Sequence, residues 1–304
     1  MSYRADTVVI LGLGLIGGSL ARALRASGFS RRFVGFGHRE PSLRRGVELG
    51  VIDDFTLDLD AAIEQADILV LCTPTLVAAN MLEHILPAVA QRDNGPVITD
   101  AASVKGNLLE RAIAVAGTMP ARLVLGHPIA GSERSGVEAS SADLYRDHRV
   151  ILTPVEGNEP DAVALVRAMW ASTGAEVVEM TVADHDAVLA ATSHLPHVLA
   201  YALVDALAQS PASDDIFRFA AGGFRDFTRI ASSDPAMWRD IAIANRSALL
   251  DAIDSFSAHL AQLREAVAAQ DADLLFDTFS AAKKARDEFT ALLSQRSTPT
   301  PGEP

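Results

Sequence analysis

The sequence predicts an α/β protein in which a doubly wound parallel sheet is followed by an all-α segment. Three observations predict it. Short, continuous, β-branched runs alternate with helical patterns over residues 7–180, as expected for strands covered on both faces. The run Gly12-Leu13-Gly14-Leu15-Ile16-Gly17 directly follows the first of these strands and opens a helix. From about Ala183 onward no convincing strand appears.

The elements can be justified in order. Thr7–Leu11, Phe33–Phe36, Ile68–Cys72, Val97–Thr99, Leu123–Leu125, Val150–Leu152 and Glu176–Val178 are the strand candidates. Helical stretches lie between several of them, at Gly18–Ser27, Leu76–Gln91 and Lys105–Ala116. Strand, helix and strand in alternation give parallel pairing with right-handed crossovers. Residues 184–208 then read as a helix opened by Asp184, bent where Pro196 removes a helical N–H. Residues 235–269 read as one long helix, with Asp234 as N-cap and Pro235 at the first helical position. Its apolar stripe, Leu249, Ile253, Phe256, Leu260, Leu263 and Val267, alternates spacings of four and three. Such a seam is either buried within its own domain or shared with a second copy, and the expectation is a homodimer through the helical domain. The organisation expected is residues 1–181, residues 182–296 and a polar, Pro-rich tail at 297–304.

Composition bounds the function. The 304 residues suit two domains, and 49% hydrophobic with 21% charged is an ordinary globular mix. A net charge of −13 argues against a nucleic-acid partner, because phosphate backbones need a basic footprint. The single cysteine, Cys72, permits no internal disulfide and fits a reducing, cytoplasmic compartment. No signal-peptide core follows the first residues. No segment is expected to approach the ~20 apolar residues of a membrane span.

The glycine run carries the first chemistry. Gly12 permits the tight turn, Gly14 lets the backbone approach a pyrophosphate, and Gly17 lets the helix pack close to the strand. The pyrophosphate then meets the helix N-terminus at Leu15 and Ile16. This is the fingerprint of a Rossmann-type dinucleotide-binding domain. Thr73 and Pro74, just past the strand Ile68–Cys72, stand where such sheets bind ligands and are further cofactor candidates. The second strand ends in Gly37, His38 and Arg39 rather than in a carboxylate that would bond a ribose 2′-hydroxyl. A small residue followed by arginine suits a 2′-phosphate, so NADP is the preferred cofactor. Glu40 keeps NAD open.

Three later segments are dense in polar residues: Gly126–Glu133, Ser193–His197 and Gly223–Arg229. With Asp100–Lys105, with Asp234-Pro235-Ala236-Met237-Trp238-Arg239-Asp240 and with the glycine run, they resemble the prephenate and arogenate dehydrogenases of tyrosine biosynthesis. The resemblance spans roughly residues 7–290 and keeps the motifs in order. It implies oxidative decarboxylation of a cyclohexadiene, with hydride passing to NAD(P). It implies that His127 accepts a hydrogen bond from the ring hydroxyl, a task suited to neutral histidine. Ser103 would bond the same hydroxyl and orient that histidine. Arg229 would hold a substrate carboxylate through its planar fork. Ser193, His197 and Ser132 would be further substrate contacts, Glu133 would gate the entrance, and Asp226 would position Arg229 or His197. Because the chain ends soon after the helical domain, the fused chorismate mutase or C-terminal regulatory domain that some relatives carry is not expected.

Other readings of the same residues stay open. His194 reads as the structural member of its histidine pair, and Trp238 as core. A metal held by His194, His197 and Asp226 lacks a third His or Cys ligand, so no metal is expected. A β-hydroxy-acid dehydrogenase of similar plan typically uses a catalytic lysine where this chain has Ser193–His197. A dehydrogenase of 4-amino-4-deoxyprephenate would need nearly the same pocket. A non-catalytic NADP(H) sensor would have no use for His127, Ser103 and Arg229.

Overall fold

The computed structural model describes residues 5–92, 95–132 and 134–296. The chain divides into two compact units, Met1–Leu249 and Leu250–Pro304.

In the first unit, β1 (Ala5–Leu11) leads into α1 (Leu15–Ala26). It is followed by β2 (Ser30–Phe36), α2 (Glu40–Glu48), β3 (Asp54–Thr56), α3 (Leu59–Glu64) and β4 (Ile68–Leu71). Next come α4 (Thr75–Ala90), β5 (Val97–Asp100), α5 (Gly106–Ala116) and β6 (Leu123–Val124). These six strands pair in parallel in the order β3-β2-β1-β4-β5-β6. Alternate residues of each central strand enter different cores. Val8, Ile10, Ile68 and Val70 join one cluster, and Val9, Leu11, Leu69 and Leu71 join the other. Apolar residues on both faces explain why these strands read as unbroken runs. Each such fully buried side chain contributes about 1.5–3 kcal/mol. The strand order reverses between β1 and β4, and the crevice beyond their carboxyl ends is the ligand position of such sheets.

The strand series expected after Leu123 does not extend this sheet. Beyond Leu125 the chain forms β7 (Gly126–Pro128), antiparallel to β8 (Arg149–Leu152), which pairs in parallel with β9 (Glu176–Glu179) after α6 (Pro160–Ala171). Side chains of the β5–α5 segment hold the start of β7. Asp100 Oδ2 accepts the Gly126 N–H at 3.1 Å, and Lys105 Nζ donates to the Gly126 carbonyl at 2.6 Å. Gly126 still stands opposite Leu152 in the β7–β8 ladder, so these bonds fix the start of β7 and leave its other edge to β8.

Helices follow, as expected. α7 (Val182–Leu189) is capped by Thr181, whose Oγ1 accepts the Asp184 N–H at 3.1 Å, so Asp184 lies within the first turn rather than opening the helix. A π-helical turn at Ala190–His194 joins α7 to α8 (Leu195–Ala208), with Pro196 in the first turn of α8. α9 (Ser213–Arg218), α10 (Gly222–Thr228) and α11 (Pro235–Ala244) continue. Asp234 caps α11 as predicted, accepting the N–H groups of Ala236 and Met237.

Two expectations are corrected. The span Val182–Ala208, 27 residues, is by length and composition long and apolar enough to cross a membrane. Its polar residues, among them Asp184, His185, Asp186 and His194, interrupt the apolar run in the sequence. His185 and His194 are fully buried within it and hydrogen-bonded, which ties it to the fold of its own unit. The predicted long helix 235–269 is broken at Asn245. That residue ends α11, and its Nδ2 donates to the Asp186 carbonyl at 2.9 Å and lies 3.0 Å from His194 Nδ1.

The chain continues through α12 (Arg246–Ala269) to α13 (Ala272–Arg296). The turn between them places Gln270 at φ 54°, and Asp271 Oδ1 accepts the Leu274 N–H at 3.0 Å to start α13. Of the predicted stripe, Leu249 is buried, whereas Phe256, Leu260 and Val267 are exposed in the single chain.

Candidate active site

The site begins at the turn after β1. Gly12 sits at φ +100°, and a Cβ there would lie 2.8 Å from the Cys72 carbonyl oxygen. A Cβ on Gly17 would lie 2.4 Å from the Gly12 carbonyl oxygen. Both positions therefore require glycine. At Gly14, the N-cap of α1, an added Cβ meets nothing within 4 Å and no side chain caps the helix. The α1 N-terminus thus opens onto free space, as an incoming pyrophosphate needs. Residues the sequence had not singled out brace this turn. Tyr145 Oη donates to the Ile16 carbonyl at 2.6 Å, and Ser141 N–H donates to Ser19 Oγ at 3.0 Å. At the end of β2, His38 and Arg39 are exposed, while Glu40 is paired with Arg44 at 2.5 Å. Residue types and open space fit a dinucleotide.

A cavity of about 770 Å³ continues from this turn. Its lining includes Gly14, Leu15, Ile16, Thr73 and Pro74 from the nucleotide side, and Ser103, His127, Ser132, Ser193 and Arg229 from the predicted substrate side. Gly12 and Gly17 lie in the turn beneath it. His38 and Arg39 stand apart, at the end of β2. Glu133 lies outside the described residues.

His127, on β7, is buried at 8% exposure. Its Nδ1 lies 2.9 Å from His185 Nε2, and His185 Nδ1 lies 2.7 Å from Asp186 Oδ1. Asp186 also accepts the Lys105 N–H at 2.9 Å and the Gly106 N–H at 2.7 Å. The orienting partner of His127 is therefore His185 and not Ser103, which shares the cavity but makes no hydrogen bond to the ring among the described residues. Burial pushes His127 well below the usual imidazole range, helped by the facing His185, Lys105 and His194. Burial opposes the Asp186 charge, but the hydrogen bonds from His185, Lys105 and Gly106 prevail and hold its carboxyl below the ordinary range. Beneath the strand, Lys105 and Asp100 form a fully buried ion pair. Burial lowers the Lys105 ammonium and the Asp100 charge opposes that shift.

On the opposite wall, His194 is held by Asn245, and burial lowers its pKa to about 4. It lines the cavity as a neutral, structurally fixed ring. Trp238 also lines the cavity, contrary to its reading as core. The His197 ring stacks on it with centroids 3.5 Å apart, and His194 meets it edge-on at 6.1 Å. His197 itself is not among the lining residues. Its Nδ1 bonds the Ser193 carbonyl at 2.9 Å, which fixes the ring over Trp238. Asp226 stands outside the cavity, and among the described residues its exposed carboxylate pairs with Arg225 at 3.3 Å rather than with the expected Arg229 or His197. The two are neighbours in sequence and both largely exposed, so the pair is local. Among the described residues no group of three or more His, Cys, Asp or Glu is arranged to hold a metal ion. Cys72 lines the cavity as a neutral thiol, pushed well up by burial and by Asp100.

A Rossmann-type sheet whose phosphate turn opens into the same cavity as a buried, neutral histidine and an arginine defines a dinucleotide-dependent oxidoreductase. Comparison with known proteins narrows the class. Residues 20–179 match the family model for the prephenate dehydrogenase nucleotide-binding domain, and residues 181–281 match that for the prephenate dehydrogenase dimerization domain. A cyclohexadienyl dehydrogenase of Zymomonas mobilis is 36% identical over 282 residues, covering 92% of this chain and 94% of the relative. A crystal structure of prephenate dehydrogenase from Aquifex aeolicus, in complex with hydroxyphenyl propionate and NAD+, superposes with a TM-score of 0.86 at 36% identity. That match covers 95% of this chain and 100% of the other. A Synechocystis arogenate dehydrogenase structure gives a TM-score of 0.78 at 29% identity over 93% of this chain and 99% of the other. The chain belongs to the prephenate dehydrogenase family.

Proposed function

We propose that this chain oxidatively decarboxylates prephenate, arogenate or both, with hydride passing to a nicotinamide dinucleotide. The observation that carries the reading is the single cavity joining the Gly14–Ile16 turn to His127, Ser103 and Arg229. His127 accepts the hydrogen bond of the ring hydroxyl, and Ser103 bonds the same oxygen. As hydride leaves the hydroxyl-bearing carbon, the hydroxyl proton moves toward His127. The ring carboxylate departs as CO2, its bonding electrons make the ring aromatic, and the proton returns to the phenolic oxygen. The bound dinucleotide supplies the hydride acceptor. Arg229 holds a substrate carboxylate, with Ser193 and Ser132 beside it. His197 acts through its stack on Trp238.

The cofactor is NADP in preference to NAD. Supporting this are the absence of a carboxylate at Gly37–Arg39, the exposed Arg39 guanidinium, and the engagement of Glu40 by Arg44. NAD remains an accepted cofactor on this reading. Residues 1–181 form the nucleotide domain and 182–296 the substrate and dimerisation domain of a cytoplasmic homodimer, a reading supported by the apolar residues exposed on α12 and α13. Steady-state reduction of NADP and NAD, each with prephenate and with arogenate, tests the whole assignment. Turnover with at least one pair is expected, faster with NADP. Equal efficiency with both dinucleotides rejects the preference. No turnover in any of the four pairs, from protein that still binds dinucleotide, rejects the reaction.

A further inference from the structure

Asp186 is more than a cap for α5. As a carboxylate it only accepts, so the proton in its 2.7 Å contact with His185 sits on His185 Nδ1. A neutral His185 then offers a bare Nε2, which lies 2.9 Å from His127 Nδ1. The His127 proton must therefore sit on Nδ1, which leaves its Nε2 lone pair free. From this geometry we propose that His185 and Asp186 are positioning residues that fix the tautomer of His127, and that they take up its charge as the hydroxyl proton arrives. The proposal rests on the reading of His127 as the hydroxyl's acceptor.

The transfer balances. His127 Nε2 gains the hydroxyl proton while the Nδ1–H bond weakens toward His185 Nε2, and the positive charge spreads to the ring paired with Asp186. When the phenolic oxygen reclaims the proton, both rings return to their starting tautomers. No net proton is released or consumed along the chain. His185 is faced by His127, by Asp186 on its own helix, by Lys105 and Asp100 from the β5–α5 segment, and by His194 from the π-helical turn. Asp100 is neutralised by its contact with Lys105. Asp186 is thus the carboxylate left to stabilise a cation on His185. The competing account is that Asp186 merely holds the start of α5 through Lys105 and Gly106.

Two measurements separate these. The first uses wild-type protein carrying 15N-labelled histidine, with His127→Asn identifying the resonances of His127. The expected spectrum near neutral pH has the proton of His127 on Nδ1 and Nε2 unprotonated. A proton on Nε2, or an imidazolium, overturns the proposal, and this test needs no variant to remain active. The second is the kinetics of His127→Asn and Asp186→Asn in protein that still binds dinucleotide. His127→Asn is expected to lose roughly 10²-fold or more in kcat. Asp186→Asn is expected to lose about 10²-fold in kcat, with KM within about threefold and the acid limb of kcat/KM displaced to lower pH. Loss in His127→Asn with wild-type kcat and pH profile in Asp186→Asn overturns the relay alone. Near-normal kcat in His127→Asn overturns the acceptor reading and the relay with it.

Discussion

Burial drives the His127 ring toward its neutral form, and the facing His185, Lys105 and His194 add to that drive. A base whose pKa lies well below the working pH keeps its lone pair free throughout the neutral range. The acid limb of kcat/KM should therefore fall well below 6.5, the ordinary imidazole value. A pH titration with a limb at or above that value would reject the electrostatic account. The same physics appears in stability. An unfolded chain protonates His194 near 6.5, whereas the folded chain resists until about 4. Between those values acid favours the unfolded state, so this contribution is present at pH 7 and is lost as the pH falls through that window. Urea unfolding should register roughly 2 kcal/mol from this ring between pH 7 and pH 5, and a flat profile would contradict it. Arg229 belongs to a different category, because it acts on bound substrate. Arg229→Gln should raise KM by an amount worth about 1.5–3 kcal/mol, the range for a hydrogen bond to a charged group. An unchanged KM would locate the carboxylate elsewhere.

The turn after β1 separates binding from folding, because its glycines are required for different reasons. Gly17 faces the Gly12 carbonyl, so Gly17→Ala meets backbone that has little room to move and should lower both thermal stability and dinucleotide affinity. Gly14 faces open space in the chain itself. Gly14→Ala should leave the melting temperature within a degree or two while weakening dinucleotide binding about tenfold or more, as read by calorimetry. Equal effects at the two positions would undo the distinction. This turn was legible in the sequence because local spacing alone defines it, as were β1, β2, β4 and β5, whose apolar runs reflect cover on both faces, whereas β3, three residues with Asp54 exposed, carries no such run. β7 was not. Gly126-His127-Pro128 carries no strand pattern, and the groups that anchor its start, Asp100 and Lys105, come from more than twenty residues earlier. The relay was hidden for a related reason. Asp184-His185-Asp186 reads as an ordinary acidic first turn, and the contacts that give Asp186 its meaning come from Lys105 and Gly106. Asn245 escaped too, since an asparagine inside a helical pattern gives no sign that distant groups at Asp186 and His194 will draw it out of the helix.

At the scale of the molecule, two features pull against each other. A chain of net charge −13 repels its own copies at long range. Yet α12 and α13 expose large apolar side chains, among them Leu260 at 54% and Phe276 at 71%. Sequence spacing had marked Leu260 as part of a seam, and the single chain leaves it uncovered. Short-range apolar burial has to outweigh the screened repulsion for two copies to associate, and at physiological salt the repulsion fades beyond about 8 Å. Sedimentation equilibrium should therefore return twice the 32.2 kDa chain mass, with little change as salt is raised. In a two-fold interface Leu260→Glu is present on both copies, so its cost counts twice. Losing about 1.5–3 kcal/mol of burial per copy weakens association by roughly 10²- to 10⁴-fold. At micromolar concentration that variant should sediment as a monomer that still binds dinucleotide, because the phosphate turn lies in the first compact unit. A wild-type monomer, or a Leu260→Glu dimer of undiminished affinity, would mean that these exposed residues serve some other contact.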